Sequence, residues 1–478
     1  MAGQVPESRT RRVRSVLERR IIGNTLGPGG RLPSTRTLAV ELGVSRSTVQ
    51  VALDMLVAEG YVESRPRSGL FAARGVRGRL AAPRDDQETG RWWQARLAAP
   101  GPETDRVAPS WWNARYPFVT GQIDSTLFPQ HTWLRALRRS HDAGHVEWSS
   151  SEHGGDDPLL VEQICAQLLP ARGIDVDPRQ VVVTLGSQQA LAVLADLLVR
   201  PGDRVVIEEP GYPDARAIMR AAGAELVVAP VDADGIDLTG VTTRGDLVYV
   251  TPSHQHPTNV TMSLERRLTL LDAAARWDSV IVEDDYDSEL RYEGAPSPAL
   301  ASLDHGRRTV YLGTFSKFLS PGLRLGFLVG PPELADAVRD RIRLTVRQVP
   351  SLLQRAMALF IQSGDYARAL ARHRRELRTR WTAARSAAVE HLPCVPEFPP
   401  GGGSLWLRTT DGTDWRDVLE PARRRGILLQ NPAHHWAHPT PSLSCLRLGF
   451  TALSADRITP GIAELGVVHR EARLRRQR

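Results

Sequence analysis

A chain of 478 residues has room for two to four domains and at least one large core. Hydrophobic residues make up 41% and charged residues 24%. No apolar run approaches the roughly 18 residues that a membrane-crossing helix needs, which argues against a membrane role. The net charge of +7 is unevenly spread: residues 8–79 hold many arginines and very few carboxylates, a footprint suited to a polyanion.

The opening stretch MAGQVPESRTRRVRSVLERR is basic but has no apolar block, so it does not read as a secretion signal. Residues 8–74 read as three helices and a short hairpin. Ser34 is placed to cap a helix over Thr35–Leu42 that Gly43 stops. Ser45 caps the next helix, whose apolar positions Val49, Ala52, Leu53, Leu56 and Val57 recur at helical spacing. Two helices about a tight glycine turn form a helix-turn-helix, and the first residues of its second helix reach base edges in a major groove. Here those are Ser45, Arg46, Ser47, Thr48 and Gln50, all able to hydrogen-bond bases or phosphates. Two extended runs in EGYVESRPRSGLFAA (59–73) predict a wing that carries Arg65 and Arg67 toward a phosphate backbone. The competing reading of the segment is an accessory or dimerisation module.

Residues 75–115, rich in Arg, Pro, Ala and Gly, read as a linker, although its pairs Trp92–Trp93 and Trp111–Trp112 suggest that it docks somewhere. From about residue 116, apolar strands alternate with helices. VVVTL (181–185), RVVIEE (204–209), AELVVAP (224–230), DLVYVTP (246–252), SVIVEDD (279–285) and TVYLGTF (309–315) predict an α/β domain whose mainly parallel sheet is covered on both faces. Cys165, Cys394 and Cys445 are odd in number and far apart, which fits a reducing cytoplasm better than a disulfide framework.

Lys317 is the single lysine among 61 basic residues. Arginine serves most cationic roles but cannot form a Schiff base. The lysine follows the strand TVYLGTF, so it stands at the carboxyl end of the sheet, where open α/β folds bind ligands. Pyridoxal phosphate needs such an amine, an acid for its ring nitrogen, donors for its phosphate and a wall for its ring. Asp284, at the end of SVIVEDD, is the candidate acid. Tyr286 lies on the same side and reaches toward the ring oxygen, while Asp285 and Asp287 alternate to the other side. An acidic surface turn or a metal site is the alternative for this run. Gly186, Ser187 and Gln188 open a helix whose N–H groups suit an anion. Arg324 adds a fixed fork for the phosphate, and Thr314 and Ser316 are further hydroxyl donors. Tyr212 is either the ring's wall or a core tyrosine with a bonded hydroxyl. The run AHHWAH (433–438) lacks metal-ligand spacing and reads as a loop; no metal site is expected.

LPSTRTLA, LGVSRSTVQVAL, LVAEGYV and SRPRSGLF resemble the winged helix-turn-helix of GntR regulators over about residues 8–74. TLGSQQAL, EEPGYP, TPSHQHPTN, VEDDYDSE, TFSKFLSPGLRLG and LRLGF fall in the order of a fold-type I aminotransferase domain over about residues 116–478. Joined, they resemble a MocR-type regulator of the GntR superfamily. The resemblance implies three parts: a DNA-binding head (1–74), a linker (75–115) and a pyridoxal-phosphate domain (116–478). The large domain would span about 180–345, and the small one 116–150 with 346–478. It also implies an aldimine on Lys317, Asp284 at the pyridine nitrogen, Tyr286 near the ring hydroxyl and Arg324 at the phosphate. DNA contacts fall to Arg36, Ser45, Arg46, Thr48 and the wing. Arg447, in CLRLGF, is either the clamp for an effector carboxylate or part of a structural ion pair. The implied protein is a cytoplasmic homodimer that binds an operator and senses an amino compound or vitamer. The alternative is a genuine aminotransferase with an accessory head. The chain departs from the pattern at His256, where an asparagine is usual, at Asn259, where a glycine is usual, and at Asp156 and Val161, which take Gly and Arg positions. These changes are expected on the effector side of the pocket.

Overall fold

The computed structural model describes residues 9–22, 29–66, 68–73, 86–96, 107, 109–150, 155–295, 297–305, 307–395, 398–440 and 443–476. The chain folds as two compact units, Met1–Pro100 and Gly101–Arg478.

In the first unit, α1 (Arg9–Ile22), α2 (Thr35–Leu42) and α3 (Arg46–Ala58) precede an antiparallel pair, β1 (Val62–Arg65) and β2 (Gly69–Ala72). Both expected caps form. Ser34 Oγ accepts from the Thr37 amide at 3.1 Å and Ser45 Oγ from the Thr48 amide at 3.2 Å. Gly43 leaves α2 with φ +63°, a conformation that needs no Cβ. Val13, Leu17, Leu38, Val49, Ala52, Leu53 and Leu56 bury one side of each helix in a common core. A helix over Asp86–Gln94 stands inside the segment that composition marks as linker.

The second unit is built on eight strands: β4 (Val181–Thr184), β5 (Arg204–Glu209), β6 (Glu225–Asp232), β7 (Gly235–Ile236), β8 (Leu247–Val250), β9 (Val280–Asp285), β10 (Thr309–Thr314) and β11 (Gly326–Val329). A two-residue strand, β3 (Tyr116–Pro117), precedes them. Their order is β4-β11-β10-β9-β8-β5-β6-β7. Pairing is parallel from β10 through β6, while β11 runs antiparallel to both its neighbours. The pleat divides the apolar side chains between two layers. Val182, Val205, Ile207, Val282, Val310, Leu312 and Leu328 face α4 (Ser187–Leu198), α5 (Pro213–Ala221) and α6 (Pro332–Val346). Val181, Val183, Tyr311, Phe327 and Val329 face the opposite layer, which includes α7 (Ser351–Gln362).

The expected boundary at residue 346 is not where the packing changes. Trp133, Ala136 and residues 356–361 join the core under the sheet. The change comes inside the 27-residue helix α8 (Asp365–His391): Tyr366 and Ala369 belong to the sheet's core, and Leu377, Trp381 and Ala384 to the next one. That further core gathers β12 (Ser404–Arg408), β14 (Cys445–Gly449) and α9 (Ala455–Arg476), with Tyr116 and Phe118. A parallel pair of β3 with β13 (Ile427–Leu428) ties residue 116 into it.

Gly449 lies so close to the Val119 backbone that a Cβ would run into its carbonyl, whereas nothing lies within 4 Å of a Cβ on Gly240. Urea unfolding should therefore show Gly449→Ala losing about 2–3 kcal/mol or more, the cost of forcing atoms into a packed site, while Gly240→Ala stays within about 0.5 kcal/mol of the parent.

Candidate functional site

Two surfaces carry the predicted chemistry, one in each unit. In the first unit, the start of α3 is polar and open. Ser45, Arg46 and Ser47 are exposed, with Thr48 half-buried. Ser45 Oγ, Ser47 Oγ and Thr48 Oγ1 form a hydroxyl cluster with 2.8 Å separations about the cap. Two arginines on the body of the head are paired with carboxylates: Arg14 bonds Glu59 at 2.6 Å and Arg20 pairs with Glu41 at 2.8 Å. Arg36 and Arg46 are exposed and, among the described residues, have no carboxylate partner. Arg65 lies over the Phe71 ring at 4.4 Å and 3.5 Å from Glu63. Arg67 lies outside the described residues.

In the second unit a cavity of about 270 Å³ opens at the carboxyl ends of the strands. Lys317, Asp284, Tyr286, Ser187, Tyr212 and Arg447 all line it, so six residues scattered through the sequence meet in one place. Asp284 Oδ2 accepts from the Tyr249 hydroxyl at 2.8 Å; Oδ1 is buried with no partner among the described residues. Burial raises this carboxyl's pKa to about 6, against the opposing pull of the Tyr249 bond and Lys317. Burial also lowers the Lys317 amine, helped by Arg447, while Asp287 and Asp284 act the other way. Helix α4 begins at Ser187 without a side-chain cap among the described residues, so its first amides remain available to an anion. Gly186, at φ +81°, packs against Arg324: a Cβ there would sit 3.3 Å from Nη2, and any larger side chain would push the guanidinium away. Arg324 itself is exposed at φ +46° and donates to the Leu185 carbonyl at 2.9 Å.

Other predicted residues support the cavity from behind. The Gln188 side chain and Asp214 hold the Tyr212 hydroxyl, at 3.0 and 3.2 Å. The Tyr212 ring therefore has a bonded hydroxyl and also lines the cavity, edge-on to His256 at 4.9 Å. Thr314 Oγ1 accepts from the Ser316 amide at 3.2 Å, and the Ser316 hydroxyl is buried without a partner among the described residues. Arg447 is 7% exposed. Its Nε donates to Ser404 Oγ at 2.9 Å and its Nη2 lies 3.5 Å from the Tyr286 hydroxyl. No carboxylate among the described residues pairs with it.

Three expectations change. Asp287 does not alternate away with Asp285: β9 ends at Asp285, the chain turns, and Asp287 lines the cavity with Asp284. Asp285 does face the other layer, bonded to Arg172 at 2.8 Å and to the Tyr311 hydroxyl at 2.7 Å. Of the departures from the family pattern, only His256 reaches the cavity. Asp156 instead joins the Val183 amide (3.1 Å) to Arg339 (3.2 Å), and Val161 is core. Asn259 takes the left-handed φ of +60° that a glycine would take there, which asparagine tolerates. Its Nδ2 then donates to Ser404, the residue that holds Arg447.

Sequence reasoning missed Tyr249, Gln430 and Val107, which also line the cavity. Tyr249 carried a signal, since it points the same way as Val282 and Asp284 across the β8–β9 register. The AHHWAH loop is more than a connector. Arg216 donates to the carbonyls of His434, His435 and Trp436, the Gly211 amide bonds His435 O at 2.8 Å, and Glu209 accepts from the Ala437 amide at 2.9 Å. Buried His435 thereby stands against His256, ring centroids 5.2 Å apart. No cluster of metal-ligating residues occurs among the described residues.

Comparison with known proteins fits this architecture. The family described as "Aminotransferase class I and II" matches residues 130–399, and "Bacterial regulatory proteins, gntR family" matches residues 9–71. The HTH-type transcriptional regulator TauR of Rhodobacter capsulatus is 38% identical over 465 residues, covering 95% of each chain. The probable rhizopine catabolism regulatory protein MocR of Rhizobium meliloti is 36% identical over 461 residues, covering 94% of this chain and 91% of that one. Among solved structures, the α-aminoadipate aminotransferase LysN of Thermus thermophilus, complexed with N-(5'-phosphopyridoxyl)-L-leucine, superposes with a TM-score of 0.69 at 26% identity. It covers 80% of this chain and 99% of that one. A head of one family continuous with an aminotransferase-like domain of the other defines a class of regulator. The chain belongs to the MocR-type transcriptional regulators of the GntR superfamily. It is thus a DNA-binding regulator, and no described helix is long and apolar enough to cross a membrane.

The raised Asp284 carboxyl makes a stability prediction. The folded state binds its proton more tightly than the unfolded chain does, so this group's contribution falls as pH rises from about 4 to 6. Asp284→Asn should flatten that dependence and, in cofactor-free protein at pH 7.5, raise unfolding stability by up to about 3 kcal/mol. Urea titrations at several pH values provide the measurement.

Proposed function

We propose that the chain holds pyridoxal phosphate at Lys317 and changes its action on DNA when a small amino compound competes for that cofactor. The observation that carries this reading is the meeting of the chain's sole lysine with a buried, half-satisfied carboxylate, Asp284, in one cavity. The donor set suits the cofactor. Asp284 Oδ1 would hold the proton of the pyridine nitrogen, and the open start of α4 at Gly186, Ser187 and Gln188, with Arg324, would hold the phosphate. Ser316 and Thr314 would serve that cradle as hydroxyl donors, Tyr212 would wall the ring, and Tyr286 and His256 would face its oxygen. His256 is held neutral by burial and by Arg447. When bound, pyridoxal phosphate supplies an aldehyde carbon for which Lys317 Nζ and an incoming amine compete.

The rest falls to the protein. Arg447, buried and without a carboxylate partner among the described residues, would clamp an anionic group on the effector. Tyr286 and Ser404 fix its direction. In the head, Arg36 and Arg46 at the polar start of the recognition helix, with Ser45, Thr48 and the wing arginines Arg65 and Arg67, would contact an operator. Two copies, paired as a homodimer in the cytoplasm, would present two heads to two half-sites. A genuine aminotransferase with an accessory head is the competing reading, and multiple turnover with an amino donor and a keto acid acceptor would establish it.

Borohydride reduction of purified protein followed by peptide mass mapping should place a pyridoxyl adduct on Lys317, and Lys317→Ala should lose both the adduct and the visible absorbance. A colourless protein that binds no added cofactor would end the reading. Arg46→Ala should weaken operator binding by tenfold or more at fixed salt if it contacts a base. If it contacts only a phosphate, the slope of log affinity against log salt should drop by about one.

A further inference from the structure

Lys317 faces a second carboxylate besides Asp284. Asp287 lies on the turn that follows β9, with φ −152° and ψ 27°, and this turn swings its side chain back to the cavity wall. Its Oδ1 lies 2.9 Å from His254 Nδ1, and the two side chains are 4% and 1% exposed. His254 comes from the loop after β8, so the pair joins two adjacent strand ends beneath the cavity. The other ring nitrogen of His254 is buried with no partner among the described residues. Gly401 closes over it so tightly that a Cβ would clash with Nε2. The ring therefore has no room to turn away, and the carboxylate it holds is fixed in direction.

The groups around Nζ divide by charge. Arg447 from β14, Arg324 from the turn before β11 and burial disfavour a proton on it; Asp287 and Asp284 favour one. The Tyr286 ring centroid lies 5.7 Å away; Tyr212, Tyr249, Asp214 and His256 also line the cavity, and burial holds His256 neutral. Asp284 is the carboxylate that a pyridine nitrogen would engage, which leaves Asp287 for the lysine.

We propose that Asp287 is the counter-ion of the Lys317 nitrogen, and that His254 is the positioning residue that keeps it aimed there. This rests on the reading of Lys317 as the cofactor's anchor. Were an effector amine to displace the lysine from the cofactor, the carbon–nitrogen bond to Nζ would break as the bond to the effector nitrogen formed. The effector's ammonium gives up two protons and Nζ gains two, the linkage being protonated before and after, so no outside acid or base is consumed. Asp287 then holds the freed lysine as an ammonium ion, which cannot attack the cofactor again until it gives up that proton. The pair thereby lengthens the life of the effector-bound state and sets how long the regulator remains switched.

The chain's single lysine makes the test direct. Full-length protein stripped of cofactor is trace-labelled with acetic anhydride across a pH series, and the Lys317 peptide is separated from the N-terminal one and quantified. Asp287→Asn should move the midpoint of Lys317 labelling down by about one pH unit, which is about a tenfold rise in labelling at neutral pH. His254→Leu should move it the same way by less, and His254→Asn, which keeps an N–H toward Asp287, should restore the parent profile. Parent-like profiles in both Asp287→Asn and His254→Leu, at unchanged thermal midpoints, would overturn the proposal. Should Asp287→Asn fail to fold, the two His254 variants decide alone. Because no cofactor is present, this result stands apart from the borohydride experiment: a chain that takes no cofactor can still show the shift, and one that takes it can fail to.

Discussion

Strand β9 ends in three consecutive acidic residues, all buried, and the two-residue period of the pleat sends them to opposite layers. Everything at the site depends on how each is compensated. Glu283, on one layer, accepts from the Leu300 and Ala301 amides at 2.9 Å each, with Arg267 3.8 Å away. Asp285, on the same layer, is bonded to Arg172 and Tyr311. Asp284, on the other layer, accepts from the neutral Tyr249 hydroxyl and, among the described residues, has no hydrogen-bonded cation, although Lys317 lies across the same cavity. Burying a carboxylate without a cation is expensive, so folding alone would not retain one in this position. Glu283 and Asp285 fasten the sheet to its helices, and Asp284 belongs to the cavity.

Much of this was legible in the sequence because it follows from short-range rules. A lysine that survives alone among arginines marks a chemical need that charge does not explain. The serine caps, the glycine stop of α2 and the apolar strand runs are local features, and Ser34, Gly43, Ser45 and Asp284 stand where those rules put them. The rule failed at Asp287 because alternation holds only while the strand lasts, and β9 ends two residues earlier. β11 escaped notice because GFLV is four residues long and sits directly behind a turn already assigned to the cofactor. The His435 loop and Val107 could not be found by any pattern, since they reach the cavity only through folding of segments far apart in the chain.

The departures from the family pattern sort themselves by the same logic. Asp156 and Val161 sit at positions where departure from the family pattern suggested an altered pocket, yet both are absorbed by packing. Asn259 keeps the backbone turn that a glycine would make and adds an amide that reaches Ser404. Ser404 in turn orients Arg447, so a substitution outside the cavity supports a residue inside it. Buried arginine of this kind holds a fixed direction only when its other donors are engaged, and Ser404 and Tyr286 engage them from two sides.

The cavity wall draws on both cores of the second unit: Ser187, Tyr212 and Asp284 belong to the sheet, Arg447, Gly403 and Thr451 to the layer around β12 and β14. The two sides are joined across the site by Arg216, which spends its guanidinium on three consecutive carbonyls of residues 434–436 instead of on a carboxylate. A neutral clasp of this sort has direction without long-range pull, so the separation of the two sides is open to influence from what lies between them. An effector can shift such an equilibrium only by its difference in affinity for the two arrangements. A molecule that bridged Arg447 on one side and the place of Lys317 on the other would have that difference, because its fixed length would fit one separation better than another. On the proposed reading, sensing therefore resides in the geometry between one guanidinium and one amine, while the enzyme-like parts around them supply an exchangeable bond.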